Sequence, residues 1–214
     1  MTEQKKQLIL RRYTDLPALV YLLTHKSLTL LDPNTWDDTN DSFYIEQYRV
    51  QHGLSKVLAL CMTQAQETYH HWRIFSHGSA GVCIQFDQER LIGSLEKTKG
   101  VLVGKVEYQK INMVLKNREL ITQENLPFTK RIGYLDENEY RIIFESKIRS
   151  NPFLDVPISL DSIVKITLSP WLNERLSKSV TTLIHSIADC EFIKVSRSTL
   201  VANQMWKNFA KKIL

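Results

Sequence analysis

Glu137, Glu139 and Arg141 stand at alternate positions within residues 130–147, KRIGYLDENEYRIIFESK, with Lys130 at the head of the stretch. Alternate side chains of a β-strand share a face. As a strand, this segment puts Glu139, Arg141 and Glu145 on one face, with Ile143 between them. Tyr140, Ile142 and Phe144 take the other. An apolar face belongs against a core, and a charged face belongs in a cleft or at solvent. Carboxylates in a cleft can activate an acceptor or stabilise a developing positive charge. The same spacing also makes a simple ion pair between Glu139 and Arg141. Both uses stay open at this point. A second acidic group, Asp37, Asp38 and Asp41, lies in the loop DPNTWDDTND, where carboxylates hold cations but more often cap helices and close turns.

The elements that must position these residues follow from periodicity. Residues 8–13 read as a strand ending in Arg11, Arg12 and Tyr13. Thr14 is expected to cap a helix that ends near His25. Strands are expected at 27–31, 56–62, 81–86, 101–108, 162–168 and 192–195. Helices are expected at 43–53, 67–77, 88–97, 112–120 and 172–188. Residues 121–136 carry no clear pattern. Val201, Met205, Phe209 and Ile213 recur every four residues, so 198–214 reads as a basic amphipathic helix. Strands and helices interleave without a repeat. The expected fold is α+β (mixed α/β): a single domain over 1–214, with a curved mixed sheet wrapped by helices. No GxGxxG, Walker loop or GxSxG occurs, which argues against dinucleotide-binding βαβ folds, P-loop enzymes and serine hydrolases.

Composition sets wider bounds. The 214 residues are 43% hydrophobic and 24% charged, as in an ordinary globular chain. No apolar run is long enough to span a bilayer, and none near the N-terminus resembles a secretory signal. Cys61, Cys83 and Cys190 are odd in number and sit in apolar contexts, so they are expected to be reduced core thiols of a cytoplasmic protein. His70, His71 and His77 lack zinc-ligand spacing with Cys61 and Cys83. The net charge of +5 comes from residues 192–214, which hold Lys194, Arg197, Lys207, Lys211 and Lys212 and no acid. The rest of the chain balances, with 23 basic and 23 acidic groups.

Several stretches together resemble a widespread bacterial family of unknown function, domain-of-unknown-function family 2971. The likeness covers roughly residues 8 to 170. It rests on Arg12–Tyr13, on the loop from Trp36 with its acid Asp38, and on Trp72 followed by Gly81, Cys83, Phe86 and Asp87. It ends on Glu137, Glu139 and Arg141 with Lys130 upstream. The chain departs from the pattern at Asp37, where the family has asparagine, at Thr39, where it has proline, and at Tyr134, where tryptophan is usual. The order of Arg, middle strand and late acid-x-Glu also looks like the ADP-ribosyltransferase superfamily. That resemblance implies NAD as cofactor, Glu139 stabilising the oxocarbenium-like ribose, Glu137 orienting or activating the acceptor, and Arg12 on the phosphates. Tyr13 or Trp36 would stack on a ring, and Asp38, Trp72, Lys130 and Arg141 would complete the site. No Ser-Thr-Ser element is present, and Thr63 is the nearest substitute.

Two other readings use different residues. Asp136 with Glu145-x-Lys147 resembles the acid…acid-x-Lys core of Mg²⁺-dependent nucleases. The tail points to a non-enzymatic accessory domain, with Arg197, Lys207, Lys211 and Lys212 on phosphates and Trp206 stacking on bases, or with a protein target. The apolar stripe of the tail would otherwise dock on the body or form a homodimer contact.

Overall fold

The computed structural model describes residues 7–76, 78–148 and 151–212, so His77 and Ile213 lie outside the described residues. The first strand, β1 (Ile9–Asp15), runs straight into α1 (Leu16–His25). Asp15, rather than Thr14, caps α1: its Oδ1 accepts from the amide of Ala18 at 2.9 Å. Carboxylates at this position satisfy donors that the helix leaves open. Next come β2 (Ser27–Leu31), α2 (Thr39–Gln51), β3 (Lys56–Thr63), α3 (Tyr69–Phe75), β4 (Gly81–Asp87) and α4 (Gln88–Leu95). Helix α2 starts four residues earlier than its apolar pattern predicts, because Asp38 Oδ1 caps it through the amides of Asn40 (3.1 Å) and Asp41 (3.4 Å).

The expected single strand at 101–108 is two, β5 (Val101–Lys105) and β6 (Glu107–Gln109). Helix α5 (Ile111–Lys116) follows. The patternless region then yields β7 (Thr129–Arg131) between short 3₁₀ turns. Strand β8 (Glu139–Ser146) is followed by β9 (Phe153–Pro157), β10 (Ile163–Leu168), α6 (Glu174–His185), β11 (Val195–Arg197) and α7 (Gln204–Lys211). The last strand sits three residues later than expected, pairing in parallel with β10 from Ile166↔Val195 to Leu168↔Arg197.

The nine-stranded mixed sheet has the order β11-β10-β4-β1-β3-β2-β9, with β8 beside β3 and β5 beside β8. Strands β6 and β7 pair separately. One edge of β3 is matched along its whole length by β8, from Lys56↔Ser146 to Thr63↔Glu139. The other edge forks. It meets β1 at Arg11↔Thr63 and β2 at Leu31↔Ala59. Between those two points the β3 edge at Leu60, Cys61 and Met62 borders a gap.

The two faces of the sheet are covered differently. Leu10, Leu58, Leu60, Met62, Ile84, Phe86, Tyr140 and Ile142 join Leu19, Leu22 and Leu23 of α1, Leu91 and Leu95 of α4 and Ile184 of α6 in the main core. On the opposite face α2 packs Ile45 and Tyr48 over Val57, Ala59 and Ile143. Helix α3 packs Trp72 over Tyr13 and Cys83. The fork lies between these two covers.

Candidate active-site cleft

A cleft of about 590 Å³ occupies the fork. Its floor is β3 from Ala59 to Thr63. Ile74 and Phe75 of α3 stand on one side; Trp36, Asp37 and Asp38, just before α2, stand on the other. Arg12, Lys130, Tyr134, Glu137 and Glu139 also line it. The volume falls within the range of small-molecule sites.

Glu139 and Arg141 alternate on one face of β8 as their spacing implies, but that face is closed. Glu139 is 3% exposed and Arg141 is 0%. Helix α2 brings Asp41 over them from a hundred residues away in sequence. Arg141 Nη1 and Nη2 donate to Asp41 Oδ1 and Oδ2 at 2.9 and 2.7 Å. Its Nε and Nη2 donate to Glu139 Oε1 and Oε2 at 2.7 and 3.0 Å. Nη1 also reaches the carbonyl of Pro127 at 2.8 Å. The guanidinium carbon lies over the ring of Trp36, 5.2 Å from its centre. Lys130 Nζ bridges Glu137 at 2.7 Å, Glu139 at 3.3 Å and Asp41 at 3.4 Å, and sits over the Tyr134 ring.

The electrostatics of this cluster follow from burial and pairing. Burial by itself raises a carboxyl pKa, but Arg141 and Lys130 overcome it at Glu139, which is held down at about 2. Burial prevails at Glu137, whose pKa is raised against the pull of Lys130, and also at Asp41 despite Arg141. The three carboxylates outnumber the two cations, so a proton that enters the cluster has Glu137, at the cleft side, as its most open carboxyl.

Three expectations are corrected here. Glu139 does not present a free carboxylate to a ligand; both its oxygens are bound within the cluster. Glu137 is not on the strand with it. Asn138, in the left-handed region at φ 42°, ends a 3₁₀ turn that carries Glu137 and turns the chain into β8. Cys61 is not a core thiol: it is exposed on the cleft floor, whereas Cys83 and Cys190 are buried. Enclosure by the surrounding protein, and then the charge of Glu139, still push the Cys61 thiol well up.

The remaining candidates divide. Arg12 lines the cleft, partly exposed, and makes no ion pair or side-chain hydrogen bond among the described residues. Surrounding protein lowers its pKa, offset in part by the nearby Cys61 and Asp15. Tyr13 touches the cleft, but its ring is engaged by His71 at 5.5 Å and edge-on by Trp72 at 5.1 Å. Trp72 is fully buried and donates from Nε1 to Glu67 at 2.7 Å, so it supports α3 rather than a ligand. Thr63 is tied into the turn through the carbonyl of Glu137. Asp136 lies in the 3₁₀ turn before β8 and Glu145 near the far end of that strand, with the strand from Glu139 to Glu145, about 20 Å at strand rise, between them. Glu145 accepts from the hydroxyl of Tyr48. The acid…acid-x-Lys set is therefore not assembled. In the tail, Arg197 Nη1 donates to the carbonyls of Pro170 (3.2 Å) and Leu172 (3.4 Å), while Trp206, Lys207, Lys211 and Lys212 are exposed.

Asp41, a loop acid by sequence pattern, is a member of the cluster. Asp41, Ile45 and Tyr48 are spaced i, i+4, i+7, the inward stripe of α2. An acid on such a stripe signals a buried cationic partner. No protein-family model matches the chain, and no curated protein matches it.

Proposed function

We propose that the cleft at the sheet fork binds a small molecule carrying an anionic group and a flat ring, such as a nucleotide. The observation that carries this reading is Arg12. It is a guanidinium set in a ligand-sized cleft, near Asp15 but in no ion pair or side-chain hydrogen bond among the described residues, and a planar fork of donors suits phosphate or carboxylate. Phe75, Trp36 and Tyr134 supply ring surface along the walls.

NAD has both features, and ADP-ribosyl transfer is the specific chemistry we propose for it. In that reaction the bond from ribose C1′ to the nicotinamide nitrogen breaks, and nicotinamide leaves with the bonding pair. The acceptor attacks C1′ and gives up its proton. We assign that proton to Glu137, whose raised pKa and position at the cleft suit a general base. Glu139 then acts as a positioning residue that fixes Lys130 and Arg141.

Cys61 offers a direct test, since it is exposed on the cleft floor and the other two cysteines are buried. Alkylation by N-ethylmaleimide, followed by mass spectrometry, is expected to slow about tenfold when NAD or AMP is present at ten times its Kd. Arg12→Ala is expected to remove the protection. Absence of protection by NAD, AMP and ADP-ribose alike, or equal protection in Arg12→Ala, overturns the binding reading. If binding holds, labelled NAD with cell lysate tests the transfer step, which Glu137→Gln should abolish while leaving protection intact.

A further inference from the structure

Helix α7 stands apart from the body. Met205 is 79% exposed, Trp206 77% and Phe209 63%, and Leu200 and Val201 just before it are also exposed. The expectation that this stripe docks on the body is therefore corrected. At about 100° per residue, Met205, Phe209, Trp206 and Ala210 gather on one side, within roughly 140° of arc. Gln204, Lys207, Asn208 and Lys211 occupy the other. Asn203 caps the helix by accepting from the amide of Trp206 at 3.0 Å, so it is locally well formed.

We propose that α7 is an interfacial anchor that lays its apolar side into an anionic lipid surface. No helix among the described residues is long and apolar enough to cross a membrane, but lying on one is a different physical state. Charge favours lipid phosphate as the occupant. Residues 192–214 hold five cations and no acid, while the rest of the chain is balanced, and three of the five, Lys207, Lys211 and Lys212, lie on α7 or at its end. Trp206 suits the boundary between headgroup and acyl chain, and Met205 and Phe209 suit the apolar side. Nucleic acid would engage the lysines and Trp206 but leave Met205 and Phe209 in water. A second copy is a poorer fit. Three large apolar side chains on a helix of eight residues cannot reach the roughly 1,000 Å² of a stable interface, and it would bring like charges together.

The test is flotation of the whole protein with vesicles of phosphatidylcholine alone and of phosphatidylcholine mixed with phosphatidylglycerol. Partition is expected to be at least tenfold higher with phosphatidylglycerol, to fall with salt, and to shift Trp206 emission to the blue. Met205→Glu with Phe209→Glu, and separately Lys207→Glu with Lys211→Glu, should each lower it at least tenfold. Both pairs lie on exposed surface, so an unchanged urea midpoint verifies the fold. No partition, equal partition into neutral vesicles, or indifference to both variant pairs overturns the proposal. So does a DNA or RNA mobility shift without vesicle binding, or a dimer in solution that Met205→Glu with Phe209→Glu dissolves while vesicles leave the protein untouched.

Discussion

Arg141 has five N–H donors, and each one meets an oxygen of Asp41, Glu139 or Pro127. Such a group is expensive to bury and more expensive to disturb. Two carboxylates left without their cation in a closed interior cost far more than the exposed ion pairs elsewhere on this chain contribute. Arg141→Ala is expected to destabilise the protein by about 3–5 kcal/mol, read from urea unfolding. A loss under about 1 kcal/mol would mean that the cluster is not closed to water. Arg12 is the opposite case. Among the described residues it makes no ion pair or side-chain hydrogen bond that its loss would strand, so Arg12→Ala should leave the unfolding midpoint nearly unchanged while altering the cleft.

The cleft exists because β3 has one long neighbour and two short ones. Strand β8 pairs with it throughout, while β1 and β2 each meet it at one register point and then diverge. Strand β8 is in turn braced by β5, whose entry depends on Gly100. That residue sits at φ +88°, and a Cβ there would lie 2.8 Å from the carbonyl oxygen of Glu145. The same pair is joined by a hydrogen bond from the Glu145 amide to the Gly100 carbonyl at 2.9 Å. Gly100→Ala is therefore expected to cost about 1–3 kcal/mol. Gly93→Ala, inside α4 with nothing near the added methyl, should instead stabilise by about 0.5–1 kcal/mol. Equal effects at the two glycines, measured by urea unfolding, would refute this account of the β5–β8 entry.

At the scale of the whole molecule, the buried cluster sets how stability depends on acid. Glu139 is depressed from 4.5 to about 2, so its contribution is present above 4.5 and is lost as pH falls toward 2. That shift corresponds to about 3 kcal/mol. Glu137 and Asp41 are raised, so each binds its proton more readily in the folded chain than in the unfolded one. Stability from these two rises as pH falls toward 4.5 for Glu137 and toward 3.8 for Asp41, and offsets part of the loss from Glu139. Unfolding free energy is expected to decline steeply only below about pH 4.5. Glu139→Gln should flatten that decline, and a profile in which it does not would remove Glu139 from this role.

The α+β class, β2 to the residue, the inward stripe of β8 and the basic amphipathic tail were legible from local pattern, because period and charge are properties of neighbouring residues. Glu139 and Arg141 were legible as a pair for the same reason. Their burial was not, since it depends on Asp41 arriving from α2, a contact between residues a hundred positions apart. The exposure of Cys61 was hidden too: an apolar strand sequence looks the same whether its edge is paired or bordered by a fork. Only the tertiary arrangement decided which carboxylate was locked in the lattice of charges and which faced the cleft, because charge in a folded chain is governed by what desolvates it and what stands opposite.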